Sequence, residues 1–403
     1  MKNLYSGSYV LLLFLISFLF SCESDMMDMG DATYDGSGEY ASLHGGAKNS
    51  SGGEGSGGNN NIQPGQITAG EWKDLYHWSF WQSVLAKQDY SKMSDYWGFD
   101  LNQRYSVELK DGSGNPHQDV PITLKLNGQA IWTTKTDNKG KAELWGHSAG
   151  SPSQRTENTS LTIDVDNGLL IHSNVLSYEQ GINKISYNLQ TPVFLKAEIA
   201  FVVDATGSMG DEIEYLKVEL KDVLQKVKNN QPQFQLITSS VFYRDVGDDY
   251  VTRVSPFTSD VSKTINFIKN QKAEGGGDFP EAVHTALEKA MSDLQWSSKA
   301  KTRLLFLVLD APPHHRPDVL LSLQKSIKTA ASKGIKIIPV TASGIDKETE
   351  FLMRFFAIST NGTYVFITNH SGIGNDHLEP TVGDYEVEFL NDLMVRLINE
   401  SLD

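Results

Sequence analysis

The sequence predicts a doubly wound α/β domain with a mostly parallel sheet, preceded by a small β-sandwich. A length of 403 residues is too great for one ordinary domain. From about residue 192, strand-like apolar runs alternate with segments of helical spacing, which is typical of a parallel sheet with helices on both faces. Between residues 66 and 190, short β-rich runs are separated by turn sequences, which favours a sandwich.

The N-terminus has the pattern of an export signal. The run VLLLFLISFLF at 10–20 has the length of a signal peptide and is too short to span a membrane comfortably. It is followed, after Ser21, by the only cysteine of the chain, Cys22. This arrangement resembles the bacterial lipoprotein signal, which implies that residues 1–21 are removed and that Cys22 is acylated. Lipid chains on Cys22 would anchor the protein to a membrane. The alternative is a plain secretory signal with an incidental cysteine.

Residues 22–65 are predicted to be a flexible tether. They lack periodic apolar positions and run into NSSGGEGSGGNNN at 49–61, a composition that behaves as a flexible coil. The acidic stretch ESDMMDMGD at 23–31 resembles the signal that sends some bacterial lipoproteins to the outer face of the cell. We therefore expect a surface-exposed protein of the outer membrane, with simple disorder as the alternative for this stretch.

Charge and cysteine content argue against nucleic-acid binding and against a disulfide within the chain. Asp and Glu number 50 against 35 Lys and Arg, for a formal net charge of -15, and the sequence has no long basic patch. This balance argues against a nucleic-acid partner. A single cysteine cannot form a disulfide within the chain.

The region from 66 to 190 begins with an aromatic-rich segment and continues with the predicted sandwich. In GEWKDLYHWSFWQSVL at 70–85, we expect the aromatic side chains to pack in a core or between domains, with a carbohydrate platform as the alternative. The predicted strands are 104–110, 120–127, 130–136, 141–145, 160–165 and 168–173. Their pattern resembles immunoglobulin-like and carboxypeptidase-regulatory-like modules, which implies a spacer without a catalytic motif.

The region from 192 to 403 carries the α/β pattern. Strands are predicted at 197–203, 236–243, 303–309, 335–340 and 363–367, with 250–257 as a hairpin partner. Helices are predicted at 210–230, 259–271, 280–294, 316–333, 346–358 and 384–402. In such a sheet, ligands bind beyond the carboxyl ends of the strands.

Three oxygen-bearing side chains follow the first of these strands. Asp204 ends the strand, and Thr206 and Ser208 follow at alternate positions, which aims all three toward one point. One carboxylate and two hydroxyls suit a hard cation such as Mg²⁺, Mn²⁺ or Ca²⁺. The alternative for Asp204 is a cap of the following helix.

The segment DATGSM at 204–209 resembles the metal-ion-dependent adhesion site of von Willebrand factor A domains. Two further motifs follow in the family's order, EGGGDFPEAV at 274–283 and LLFLVLDAPPHH at 304–315. The resemblance covers about residues 195–402. It implies a divalent cation, with Mg²⁺ as the first choice, held by Asp204, Thr206, Ser208, Asp278 and Asp310, the last through water. It places Gly277, His314 and His315 at the rim.

The resemblance implies a binding module that holds an acidic residue of a partner protein on the cation, in adhesion or complex assembly, and not an enzyme. The sequence contains neither an H-E-x-x-H nor a G-K-[ST] motif. The alternatives are an accessory subunit of a chelatase-like or secretion machine, and a scaffold in which the metal only braces the loops. Two local alternatives also stay open: transition-metal binding by His314 and His315, and a second cation site in YRDVGDD at 243–249.

Overall fold

The computed structural model describes residues 62–146, 160–188 and 193–403, which belong to one compact unit. The predicted signal peptide, Cys22 and nearly all of the predicted tether lie outside these residues. No helix in the described ranges has the length and apolar character needed to cross a membrane.

The aromatic-rich segment packs on the α/β region. It forms strand β1 (Thr68–Trp72) and helices α1 (Trp78–Leu85) and α2 (Met93–Trp97). Trp81 is buried against Phe351 and Phe355, with ring centroids 5.6 and 5.4 Å apart, which confirms the prediction that these aromatic side chains pack in a core. The sequence grouped residues 68–72 with the sandwich, but β1 pairs with strands near the C-terminus, as described below.

Two small sheets follow. Their strands are β2 (Arg104–Lys110), β3 (Pro121–Leu126), β4 (Gln129–Lys135), β5 (Lys141–Trp145), β6 (Leu161–Val165), β7 (Leu170–His172) and β8 (Asn183–Ser186). One sheet has the order β5-β2-β8 and the other β4-β3-β6-β7. All six predicted runs form strands, and β8 is an additional strand that the sequence pattern did not indicate. Alternate side chains of β2 and β3 enter one core, among them Val107, Leu109, Ile122 and Leu124.

The large sheet contains eight strands. In chain order the remaining elements are β9 (Lys196–Asp204), α3 (Ile213–Asn230), β10 (Gln235–Tyr243), β11 (Thr252–Thr258), α4 (Val261–Lys269), α5 (Val283–Ser292), β12 (Thr302–Leu309), α6 (Pro317–Lys333), β13 (Lys336–Thr341), α7 (Lys347–Ser359), β14 (Tyr364–Ile367), β15 (Val387–Phe389) and α8 (Leu390–Leu402). The sheet order is β11-β10-β9-β12-β13-β14-β1-β15. Strands β9, β10, β12, β13 and β14 run parallel, whereas β11, β1 and β15 join antiparallel.

Helices cover both faces of this sheet. Phe201 and Val203 of β9 enter the core under α3 and α8, and Ala200 and Val202 enter the core on the opposite face. A central strand buried on both faces requires the uninterrupted apolar run seen in the sequence. The predicted doubly wound α/β fold is therefore confirmed.

Three predicted helices begin later than expected. The first becomes a short 3-10 turn (Gly207–Asp211) and then α3, and α8 begins at Leu390 because residues 387–389 form β15. Helix α5 begins at Val283 because the backbone N–H of Glu281 donates to Pro312 O (2.8 Å), which holds the GGGD loop against the loop after β12.

Candidate metal centre at the carboxyl edge of the sheet

Asp204, Thr206 and Ser208 converge in the structure as their spacing predicted. Asp204 is fully buried, and its Oδ1 accepts hydrogen bonds from Thr206 N (2.9 Å) and Thr206 Oγ1 (2.7 Å). Thr206 Oγ1 lies 3.2 Å from Ser208 Oγ. The cap of α3 is Glu212, so Asp204 does not serve as the cap of that helix.

Asp310 joins this group from the neighbouring strand. It follows β12, which pairs directly with β9, and it is buried. Burial raises the pKa of Asp310 to about 7, with the nearby charge of Asp204 as the second cause. Burial likewise raises the pKa of Asp204 to about 6, although the hydrogen bonds from Thr206 oppose the shift. Like charges in a buried site repel, so both carboxyls retain protons more readily than in water.

Glu281 is a further acid of this site that the sequence analysis did not single out. It is buried, and burial and the charges of Asp204, Asp245, Asp248 and Asp310 raise its pKa to about 9. The sequence signal was the glutamate of GGGDFPE, which the helix prediction placed on α5. The structure instead turns it inward.

Asp278 lies in a different group from Asp204. Its side chain is exposed, and its carboxylate lies within 4.8 Å of ligand atoms of Asp245 and His314. Gly275 and Gly276 have φ values of 80° and 73°, which turn the loop so that Asp278 stays outside while Glu281 enters the site. Gly277 is exposed with open space around it.

The two adjacent histidines point to different partners. His314 Nε2 lies 2.9 Å from Asp245 Oδ1. His315 Nε2 lies 2.7 Å from Tyr96 O, and its ring stacks on the Tyr96 ring at 3.9 Å. His314 therefore belongs to the acidic loops, whereas His315 contacts the N-terminal segment.

Glu212 closes another side of the site. Its Oε1 accepts hydrogen bonds from Ser343 N (3.0 Å) and His377 Nε2 (3.0 Å). Its charge is among the causes that raise the pKa of Asp310. The loops after β13 and β14 are thereby connected to the centre of the site.

Comparison with known families decides the nature of this domain. The von Willebrand factor A domain model matches residues 198–372. Residues 198–372 form a von Willebrand factor A domain. The domain includes Asp204, Thr206, Ser208 and Asp310, which lie together at the carboxyl edge of its sheet.

Curated proteins match this chain over short stretches. An ariadne-like RING finger protein of Acanthamoeba polyphaga mimivirus is 31% identical over 132 residues, 33% of this chain and 13% of that protein. A glyceraldehyde-3-phosphate dehydrogenase of Thermococcus sibiricus is 26% identical over 151 residues, 36% of this chain and 42% of that protein. An alpha-protein kinase, vwkA, of Dictyostelium discoideum is 29% identical over 119 residues, 29% of this chain and 19% of that protein. The chain thus spans less than half the length of each of these relatives.

Two solved structures from Bacteroides match about half of this chain. BatB of Bacteroides thetaiotaomicron has a TM-score of 0.34 and 15% identity, covering 51% of this chain and 98% of that one. An aerotolerance-related membrane protein of Bacteroides fragilis has a TM-score of 0.33 and 14% identity, covering 50% and 98%. At these scores neither structure bears on function.

The donor set of the von Willebrand factor A domain site fits a hard divalent cation. Its side chains offer only carboxylate and hydroxyl oxygens. Asp204 Oδ2, Asp310 Oδ1 and Glu281 Oε2 are buried, and none of them has a hydrogen-bond partner within the described part of the chain. Buried polar atoms are normally satisfied, so such orphaned oxygens require a ligand or protons.

Contrary to the expectation that the sequence has no G-x-S-x-G motif, one such serine motif lies outside this domain. GHSAG at 146–150 has the G-x-S-x-G spacing of a hydrolase nucleophile turn. It follows β5 of the three-stranded sheet, and Ser148 lies outside the described residues. A nucleophile turn joins a strand of an α/β sheet to a helix, and β5 belongs to no such sheet.

Proposed function

We propose that the von Willebrand factor A domain binds a divalent cation through Asp204, Thr206, Ser208 and Asp310, and that this cation holds an acidic side chain of a partner protein. Mg²⁺ is the first choice, with Mn²⁺ or Ca²⁺ as alternatives. The cation supplies a positively charged position that accepts one further oxygen ligand. The domain then serves adhesion or complex assembly and not catalysis.

The pair of buried carboxylates carries this proposal. Asp204 and Asp310 stand at the ends of adjacent strands, and each has a buried oxygen without a close hydrogen-bond partner among the described residues. Burial raises the pKa of both acids and outweighs the hydroxyls of Tyr243 and Ser208, which lower the pKa of Asp204 and Asp310 respectively. Two unneutralised buried acids destabilise a fold unless a cation or protons compensate them. A divalent cation held by these residues would supply the missing positive charge.

The opening of the site favours a macromolecular partner. Asp204 and Thr206 are buried, whereas Gly207 and Ser208 are exposed. A ligand therefore reaches the site from the side of Ser208. Phe279 is 47% exposed on the neighbouring GGGD loop, and aromatic side chains are enriched at protein interfaces.

We further propose that acylated Cys22 anchors the protein in the cell envelope, in the outer membrane with the folded part exposed at the cell surface. The predicted tether sets the reach of the binding site. The two small sheets do not extend this reach freely, because Asp119 of the small-sheet region accepts two hydrogen bonds from Arg303 of β12 (2.8 and 3.1 Å).

A metal titration tests whether the Asp204 site binds a cation. Mn²⁺ and Mg²⁺ are titrated into the full chain by calorimetry, with Ser208→Ala and Asp204→Ala as site variants. Ser79→Ala, at an exposed position of α1, is the matched control for Ser208→Ala. We expect both site variants to lose at least tenfold in affinity and the control to bind as the wild type does.

Partner binding tests the second step. Protein captured from the native envelope is compared with and without EDTA, and between wild type and Asp204→Ala. A partner that stays bound in EDTA and to Asp204→Ala contradicts the proposal, even if the cation itself binds.

A further inference from the structure

Two carboxylates and one imidazole meet beside the Asp204 site, each from a different loop. One ligand atom from each of Asp245, Asp278 and His314 lies within 4.8 Å of the other two, and His314 Nε2 is 2.9 Å from Asp245 Oδ1. Zinc binds nitrogen and oxygen at about 2.0 to 2.2 Å, so ligand atoms of one ion lie about 3 to 3.6 Å apart. Asp278 is exposed, so its side chain has room to rotate toward this spacing.

The three loops are bonded to one another. Asp248 accepts hydrogen bonds from Asp245 N (3.1 Å) and from Gly276 N (3.0 Å), which connects the loop after β10 to the GGGD loop. Glu281 N donates to Pro312 O (2.8 Å), which connects the GGGD loop to the loop that carries His314. The three loops are therefore held together by hydrogen bonds of the Asp248 carboxylate and of the backbone, so the group is not a chance meeting of surface side chains.

The buried acid Glu281 of the Asp204 site also interacts electrostatically with this group. Glu281 Oε2 is buried without a hydrogen-bond partner among the described residues. Asp245 is among the acids whose charge raises the pKa of Glu281, as is Asp204. The buried guanidinium of Arg244 does not compensate them, because it donates to Ala205 O, Lys272 O and Glu274.

We propose that Asp245, Asp278 and His314 bind a second cation, a transition metal such as Zn²⁺, at a site distinct from the Asp204 site. The imidazole decides the class of metal, because Zn²⁺, Co²⁺ and Ni²⁺ accept imidazole nitrogen whereas Mg²⁺ and Ca²⁺ prefer oxygen. The Asp204 site offers only oxygen ligands and therefore favours Mg²⁺ or Ca²⁺. The two sites therefore take different metals.

This site does not depend on the proposed function. The Asp204 site can fail to bind Mg²⁺ while the His314 site binds Zn²⁺, and the reverse is equally measurable.

The test is a Zn²⁺ titration of the full chain in saturating Mg²⁺, measured by calorimetry. A parallel titration with Co²⁺ in place of Zn²⁺ is measured by visible absorption. We expect one Zn²⁺ per chain, and at least a tenfold loss of affinity in His314→Ala, His314→Gln and Asp278→Asn. His315→Ala is the matched control, because His315 contacts Tyr96 and not the acidic loops. It should bind Zn²⁺ within twofold of wild type.

Asp204→Ala separates the two sites. It should lose Mg²⁺ binding and keep the Co²⁺ absorption bands, while His314→Gln should do the opposite. If wild type and both His314 variants bind Zn²⁺ equally, or if wild type binds none, Asp245 and His314 form only a hydrogen-bonded pair and the proposal is overturned.

Discussion

Asp204, Asp310 and Glu281 retain protons at pH values where exposed acids have lost them. Their pKa values rise to about 6, 7 and 9, with burial as the first cause in each case. In an unfolded chain the same groups titrate near pH 4. The metal-free folded state therefore binds protons that the unfolded state releases.

This difference predicts how stability depends on pH. Because the folded state holds the protons more tightly, the metal-free protein should gain free energy of unfolding as the pH falls from about 9 to about 5. Each unit of pKa shift corresponds to about 1.4 kcal/mol. Thermal melting in EDTA at several pH values measures the effect.

Glu281→Gln provides the control for this pH dependence. It should flatten the profile between about pH 7 and 9, because it removes the acid with the highest pKa. A melting temperature in EDTA that is constant or rises with pH would contradict the assignment of buried acids.

Asp204→Asn should separate stability from cation binding. In EDTA the variant should melt at or above the wild-type temperature, because it removes a buried charge from a repelling group. Wild type should gain about 2.7 kcal/mol from Mg²⁺ at one hundred times its dissociation constant, and the variant should gain none. Asp89→Asn, at an exposed position outside the site, should behave as wild type in both conditions.

At the scale of elements, the GGGD loop decides which acid enters the site. Gly276 has φ 73°, and a Cβ added there would lie 2.8 Å from Glu281 Oε1 and 3.2 Å from Thr206 Cβ. Position 276 therefore requires glycine for two reasons: its φ is positive, and a side chain there would collide with Glu281 and crowd Thr206.

Substitution at this glycine tests the loop. Gly276→Ala should cost about 1 to 3 kcal/mol of stability and weaken cation binding, because it strains the backbone and displaces Glu281 or Thr206. Gly277→Ala is the matched control, since a Cβ there meets nothing within 4 Å and its φ is not positive. Equal melting temperatures for the two variants would show that the loop tolerates a side chain at Gly276.

The loop also marks the limit of what the sequence could predict. Asp204, Thr206 and Ser208 follow one strand at fixed spacing, so their convergence follows from local geometry. The positions of Asp278 and Glu281 depend on the φ values of Gly275 and Gly276 and on the contact with Pro312, which no periodic pattern encodes. Strand β15 was hidden for a similar reason, because its partner β1 lies more than 300 residues away in sequence.

At the scale of the whole molecule, β1 makes the N-terminal segment part of the large sheet. It lies between β14 and β15 and pairs with both. Asp74 and Glu350 bind the buried guanidinium of Arg354, which joins this segment to α7. The domain boundary predicted at residue 192 leaves β1 outside the domain whose sheet it completes.

Truncation tests this dependence. A chain of residues 193–403 should melt at a lower temperature than residues 62–403 and should self-associate, because it exposes the unpaired edges of β14 and β15. Size-exclusion chromatography and thermal melting measure both effects. A monomeric 193–403 fragment with the melting temperature of the longer chain would show that β1 is dispensable.

The fold class was predictable because each strand and helix of the α/β region carries its own apolar pattern. Strand order at the sheet's edge was not, since β1 and β15 are short and their pairing depends on tertiary contacts. The sequence predicted that Trp81 is buried, because so many neighbouring aromatic side chains must pack against another surface. It did not predict that this surface is α7.

The place where the chain enters the sheet has a mechanical consequence. Glu219 accepts hydrogen bonds from the backbone N–H groups of Gly65, Gln66 and Ile67 (2.9 to 3.3 Å), immediately before β1. Ala69 pairs with Ile367 at the carboxyl end of β14, the edge of the sheet that also carries Asp204. A force that pulls the N-terminal chain away from a ligand bound at the site would thus act at one edge of the sheet. Because both points lie at the same edge, the force runs across the strands, and the Glu219 hydrogen bonds meet it before the pairs that join β1 to β14 and β15 do.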